Sequence, residues 1–287
     1  MASIVCLLAA STCAQQEAPT FRIESRVVEI YATVFDHQGH YEDGLSAKDF
    51  QVLENGEPQS IKYFETTAEP LHCAILLDTT ASMVDTLPSL KSGVSTLIDQ
   101  LGSNDSVAVF SFNEKVVTQQ DFTTDKIAAK RAVLRLRAGG RTALFDAVAE
   151  VSRDLNDQSG KKAIVLFTDG DDNSSMLTAQ TAVTRARANS VPIFTIAEGE
   201  ALESGILRRM LGEMSANTGG AAFEAKNPKD MQMVFGQVSE VMRHVYMLGY
   251  QPLNPSSDGK WRTIDLKVEG LKDATIHAKS GYFPDQR

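Results

Sequence analysis

Near residue 26 the chain begins to alternate hydrophobic and polar positions at the period of a strand. Val28, Ile30, Ala32 and Val34 share one side of the run Arg26 to Phe35, and the polar turn Asp36 to His40 ends it. Phe50 to Glu54 and Ser60 to Thr66 flank Asn55-Gly56, a pair that tolerates the positive φ angles of a hairpin turn. Ser46 to Asp49 reads as one capped helical turn before them. Residues 20–70 therefore predict a block of strands.

The period changes at about residue 71. Strands are predicted at 73–78, 106–113, 115–122, 162–168, 191–197 and 220–225, and helices at 84–101, 125–137, 144–157, 178–189, 204–217 and 229–245. The first, fourth and fifth of these strands are continuous apolar runs, as expected of strands covered on both faces. Alternating strands and helices predict an α/β fold: a doubly wound, mostly parallel sheet with helices on both faces. After residue 245 strands return. Val245 to Gln251 is extended, Pro252 to Gly259 is a loop, and Ile264, Leu266 and Val268 then alternate with polar neighbours. Ala274 to Phe283 can form a last strand, and Trp261 is expected in the core beneath. Neither terminal block has enough strands to bury a core alone. Residues 20–70 and 246–285 are thus expected to form one small β-sandwich, with the α/β domain of residues 71–245 inserted between them.

Composition narrows the function classes. The 287 residues carry 28 basic and 37 acidic side chains, a formal charge of -9. That balance disfavours nucleic acid, whose affinity comes mainly from Lys and Arg on phosphates, and equally an anionic membrane surface. Met1 to Ala14 reads as an export signal: Ile4 to Ala10 is apolar, and Thr12-Cys13-Ala14 offers small residues before Gln15. Its start, Met1-Ala2-Ser3, lacks the usual Lys or Arg. The segment is too short to span a bilayer, and no later stretch approaches that length. A periplasmic, cell-envelope or secreted protein is expected. Cys13 as the lipid-bearing first residue of a lipoprotein is the alternative, although Ala10-Ser11-Thr12 fits that recognition box poorly. Cleavage after Ala14 leaves Cys73 as a lone thiol, so no disulfide is expected.

The candidate chemistry sits at strand ends. Asp78 closes the first strand of the α/β domain and Asp169 follows the fourth. In open α/β sheets ligands bind beyond the carboxyl ends of strands, where strand order reverses. Thr80 and Ser82 lie on the first loop, and Thr142 follows Gly139-Gly140 just before a helix. Two carboxylates and three hydroxyls make an all-oxygen donor set. It suits Mg²⁺, Mn²⁺ or Ca²⁺ and not zinc, since no Cys or His is near. Asp171 and Asp172 read as an acidic, solvated loop. The run Asp169 to Ser175 is no EF-hand loop, because it lacks the glycine and terminal glutamate that loop requires. His37 and His40 fall on a polar turn and are expected to face solvent.

The series Asp78-Thr79-Thr80-Ala81-Ser82, Thr142 and Asp169 resembles the metal-ion-dependent adhesion site of von Willebrand factor type A domains, whose pattern is Asp-x-Ser-x-Ser, a Thr and an Asp. Thr80 in place of Ser is the sole departure; it keeps the hydroxyl and adds a methyl. The resemblance implies a Mg²⁺-type ion held by Asp78, Thr80, Ser82, Thr142 and Asp169, with a partner protein's Asp or Glu replacing a metal-bound water. It implies binding and no catalysis. Beyond that domain, Val27 to Val34, Tyr246 to Tyr250 and Gly281 to Phe283 resemble segments of the von Willebrand factor type A-related proteins abundant in acidobacteria, a family without an established partner. In the adhesion domains this site resembles, the corresponding helix shifts when the site engages ligand; here the helix over 229–245 runs straight into Val245, so a shift is expected to pull on the sandwich, and a static core-packing helix is the plainer alternative.

Two enzyme classes compete with this reading. A phosphoaspartyl hydrolase of haloacid dehalogenase type also places an Asp after the first strand, but needs an acid two residues on, where this chain has Thr80; without it the general acid is lost. A dinucleotide-binding oxidoreductase needs a glycine-rich turn after that strand, and Asp78 to Met83 contains no glycine.

Overall fold

Strand alternation divides the first element between two cores. In the computed structural model, which describes residues 27–284 apart from 39, 67–69, 257 and 272, β1 (Val28–Phe35) turns Val28, Ile30, Ala32 and Val34 into a sandwich core and Tyr31 into a different one. The expected leader, with Cys6 and Cys13, lies outside the described residues. After a 3₁₀ turn at Ala47–Asp49 come β2 (Phe50–Glu54), β3 (Glu57–Gln59) and β4 (Ile61–Glu65). Asn55 and Gly56 adopt φ 51° and 84°, as the hairpin requires. The arm that returns is β3, however, and not Ser60 to Thr66 as the sequence suggests. A two-residue turn sets Glu57 opposite Glu54, and the chain then leaves this sheet to pair β4 elsewhere.

The α/β portion follows in chain order as β5 (Leu71–Asp78), α1 (Leu87–Gln100), β6 (Ser106–Phe112), β7 (Val116–Thr123), α2 (Lys126–Arg135), α3 (Leu144–Asp154), β8 (Lys161–Thr168), α4 (Ala179–Ala188), β9 (Ile193–Ala197), α5 (Glu200–Glu203), α6 (Gly205–Thr218), β10 (Ala222–Glu224) and α7 (Met231–Arg243). The sheet order is β10-β9-β8-β5-β6-β7, parallel except for β7 at one edge. On the central strand, Cys73, Ile75 and Leu77 face α1, α2 and α7, whereas Ala74 and Leu76 face α3, α4 and α6. That two-sided burial is why β5 and β8 read as unbroken apolar runs. Some boundaries move. Residues 81–84 form a 3₁₀ turn and α1 starts at Leu87, with Pro88 in its first turn, where the missing N–H costs nothing. The short α5 is an element the periodicity does not announce.

The chain ends in β11 (Val245–Tyr250), β12 (Arg262–Val268), β13 (Thr275–Ala278) and β14 (Gly281–Tyr282). Two four-stranded antiparallel sheets result, ordered β13-β1-β11-β4 and β14-β12-β2-β3. Both terminal segments contribute to each, and Ile30, Val52, Tyr246, Leu248 and Ile264 share their core. The single last strand expected over 274–283 is two, because the chain switches sheets at Lys279-Ser280. Gly281 permits the switch: a Cβ there would lie 2.2 Å from the Arg262 carbonyl. Trp261 departs from expectation. It is half-buried outside the sandwich core, against Phe283 and beneath the Arg187 guanidinium of α4.

The sandwich meets the α/β sheet at the amino ends of its parallel strands. Tyr31 passes between them, its hydroxyl donating to Gly160 O and accepting from Lys162 N, both at 3.2 Å. A second tie lies where α7 becomes β11. His244 Nδ1 is 2.8 Å from Asp43 and Nε2 is 3.1 Å from Glu240, while its ring stacks on Tyr41 with centroids 4.1 Å apart. A neutral imidazole donates through one nitrogen only, so two carboxylates call for the charged ring. Burial pulls the His244 pKa down, but the hydrogen bonds to Asp43 and Glu240 outweigh it and the net shift is upward. Arg243 also pairs with Glu240 and competes for it. A raised histidine pKa stabilises fully below its unfolded value of about 6.5 and loses that contribution as pH climbs through the folded value. Urea denaturation should show His244→Gln costing more at pH 6 than at pH 9, by up to about 1 kcal/mol for so exposed a pair of acids. An equal cost at both pH values would show the ring to be neutral.

Candidate metal centre

β5 and β8 lie side by side in register Leu71↔Lys161 to Leu77↔Phe167, so their carboxyl ends deliver Asp78 and Asp169 to the same place. Strand order reverses between them, since the chain runs from β5 to β6 on one side and reaches β8 on the other. Asp78 is fully buried. Its Oδ1 accepts from Thr80 N at 2.9 Å and its Oδ2 from Thr168 Oγ1 at 2.8 Å. Thr80 Oγ1 and Ser82 Oγ are 3.1 Å apart, and Ser82 Oγ donates to Asp169 Oδ1 at 3.0 Å. A continuous polar chain thus joins four of the five candidate residues. Depth is graded along it: Asp78, Thr80 and Asp169 are buried, whereas Ser82 is exposed at the mouth.

Thr142 arrives through its backbone. Its loop is tied to the first one by Gly139 N to Thr79 O at 2.8 Å and Ala81 N to Gly140 O at 3.2 Å. Gly140 holds φ 90° against Asn113, a conformation that favours glycine. On the other side Thr142 N donates to Asn173 Oδ1, and its carbonyl accepts from Asn173 N and Ser174 N, each at 3.0 Å. The loops after β5 and β8 are therefore both fastened to the Thr142 loop, and Thr142 itself is buried.

No basic side chain acts on Asp78 or Asp169; the nearby Arg141 guanidinium donates instead to Asn173 O at 2.7 Å. Burial, aided by the neighbouring Asp169 and partly offset by hydrogen bonds from Thr80 and Thr168, pushes the Asp78 carboxyl up to about 6. Burial also raises Asp169, against the Ser82 hydrogen bond and with Glu200 adding to it. A divalent ion would supply what is missing, so the donor set fits one. Among the described residues no three His, Cys, Asp or Glu gather as a metal cluster; an ion here would rest on two acids and hydroxyls. Because both Asp78 oxygens are already engaged, that acid suits contact through water more than direct ligation.

Three residues escaped the sequence reading. Thr168 fixes Asp78 and is visible only as the residue before Asp169. Asn173 clamps Thr142. Glu198, buried just past β9, accepts from Thr86 at 3.4 Å, and its pKa is raised by burial and then by Asp169; no local pattern marks it. Asp171 is exposed as expected, but Asp172 is a correction. Its carboxylate accepts from Phe145 N at 3.1 Å and Ser175 Oγ at 2.5 Å, supplying the first turn of α3 with the cap that Ala143 cannot provide.

The model of the von Willebrand factor type A domain matches residues 73–237, more than half of the chain. The chain belongs to that family. Among curated proteins, an uncharacterised protein of Synechocystis is 26% identical over 187 residues, covering 61% of this chain; the chain spans 42% of that protein's length. Among solved structures, BatB of Bacteroides thetaiotaomicron superposes with TM-score 0.51 at 21% identity, over 60% of this chain and 98% of that one. A von Willebrand factor type A protein of Catenulispora acidiphila reaches 0.52 at 16% identity, over 92% of this chain and 76% of that one. Proximal thread matrix protein 1 of the mussel byssus, solved with zinc in its MIDAS motif, reaches 0.54 at 18% identity over 64% and 48%. At these identities the likeness is one of fold, and with the Catenulispora protein it extends over 92% of this chain.

Asp172 and Asp169 should separate on mutation. Asp172→Ala is expected to lower stability by about 0.5–2 kcal/mol, the cost of a lost cap, whether or not divalent metal is present. Denaturant melts with and without Mg²⁺ check this; a loss that metal restores would place Asp172 in the metal centre.

Proposed function

We propose that this protein is an exported, metal-dependent protein-binding module, in which Asp78, Thr80, Ser82, Thr142 and Asp169 hold one divalent cation. The observation that carries this reading is the hydrogen-bonded chain from Asp78 through Thr80 and Ser82 to Asp169 at the open carboxyl end of the sheet. Neutral hydroxyls as ligands leave a bound ion much of its positive charge, and Mg²⁺ keeps waters that a partner's carboxylate can replace. The chain's own residues set the rest. Asp78 and Asp169 anchor the charge, Ser82 opens the mouth to solvent, and the ties among the 79–81, 139–142 and 173–174 loops hold the hydroxyls in place. Glu198 and Glu200 beside Asp169 make the metal-free face repel an acidic partner, so binding should depend strictly on the ion.

Mg²⁺ is the ion this oxygen set suits best, and zinc at the MIDAS motif of the mussel protein makes zinc the comparison to run. Export is supported by the leader-like Met1 to Ala14. Among the described residues no helix is long and apolar enough to cross a membrane. The sandwich, predicted from residues 20–70 and 246–285, would serve as a base at the far end of the sheet, leaving the metal face free. A binding role without catalysis fits Thr80, whose hydroxyl is no general acid for phosphoenzyme chemistry.

Metal at a hundredfold excess over its Kd should stabilise the wild type by about 2.7 kcal/mol, read as a rise in melting temperature. Asp169→Ala should abolish that rise, and a rise persisting in the variant would refute the site. Capture of an acidic partner should be lost on adding a chelator and restored by Mg²⁺.

A further inference from the structure

At the seam between α4 and the sandwich lies a cleft lined by Val28, Thr184, Arg187, Ser190, Lys279 and Tyr282 among others. Its volume of ≈ 30 Å³ exceeds what one water needs, and it opens to solvent. No acid is among its described lining residues. Arg187 comes from the last turn of α4 and is only 8% exposed. Its Nη2 donates to Gly281 O, and its guanidinium lies 4.3 Å from the Trp261 ring centroid. Its Nε is buried with no hydrogen-bond partner. A guanidinium cannot shed its charge, so burial without an acceptor is costly. Burial indeed lowers its pKa. The carboxyl end of α4 offsets part of that charge, but gives Nε no acceptor. Lys279, 4% exposed, adds a second cation to the same cleft.

We propose that this cleft is a binding site for a small oxyanion, of carboxylate or phosphate type, held by the positive charge of the Arg187 and Lys279 side chains that line it. Such an anion would join α4 of the von Willebrand factor type A domain to the β13–β14 connection of the sandwich, and so tie the two cores together. The site is separate from the metal centre and does not depend on it.

Trp261 is the sole tryptophan and stacks on Arg187, so its fluorescence reports on this site directly. Sodium acetate and sodium phosphate are titrated into the full chain at constant ionic strength, following Trp261 emission and melting temperature. The proposal expects a saturable emission change with a rise in melting temperature for at least one of the two, and the tighter one names the anion class. Arg187→Lys should weaken binding about tenfold, the value of one charge-assisted hydrogen bond. Arg208→Gln, at an exposed ion pair elsewhere, should leave it unchanged. No saturable response to either anion in the wild type would overturn the proposal. An unchanged affinity in a folded Arg187→Lys would overturn it equally. Should that variant not fold, Lys279→Gln takes its place, with weaker binding expected and an unchanged affinity counting against the site.

Discussion

Two carboxylates buried side by side at the ends of β5 and β8, with no basic side chain between them, set the terms for the top of this molecule. Parallel pairing forces their proximity, because strands in register finish together. Their charge is tolerated through hydroxyl and amide donors: Thr168 and Thr80 on Asp78, Ser82 on Asp169. Hydrogen bonds of that kind offset desolvation only in part, which is why both acids titrate above their usual range. A cation bound between them would relieve the remainder. The arrangement is thus unfavourable as an end in itself and makes physical sense as a receptor for positive charge.

The opposite end of the sheet solves a different problem. The amino ends of parallel strands expose backbone groups and apolar edges, and here the sandwich covers them. Tyr31 alternates out of the sandwich core into the α/β core and satisfies Gly160 and Lys162 there. His244 ties the end of α7 to the Asp43 loop, and Arg187 reaches from α4 across Trp261 to Gly281. The ties engage different elements of the α/β layer, the start of β8, the end of α7 and the end of α4, so the base is held at several points away from the carboxyl ends of the strands.

Local pattern and long-range contact contributed differently to the site. The Asp78 to Ser82 spacing and the Asp169 turn stand out because they follow apolar runs that can only be buried strands. Thr168, Asn173 and Glu198 do not, since each acts on a residue far away in the chain and no short-range period encodes that. Asp172 misled for the same reason: an acid in a polar loop reads as solvated until α3 is seen to need a cap. Trp261 likewise reads as core by its size, yet its partner is a guanidinium from another layer.

Periodicity, then, determined the α/β class, the order of strands and helices, and the two strand ends that carry acids, because burial on both faces writes itself into consecutive residues. It also implied that the terminal segments needed each other, since neither could cover its own apolar face. Which strand pairs with which was left to the tertiary structure. β3 instead of β4 returns along β2, and the last segment splits between two sheets, because register and sheet choice depend on cores formed by residues some two hundred positions apart. The same holds for the meeting of the Asp78, Thr142 and Asp169 loops. Their convergence is a property of the assembled sheet and of no segment within it.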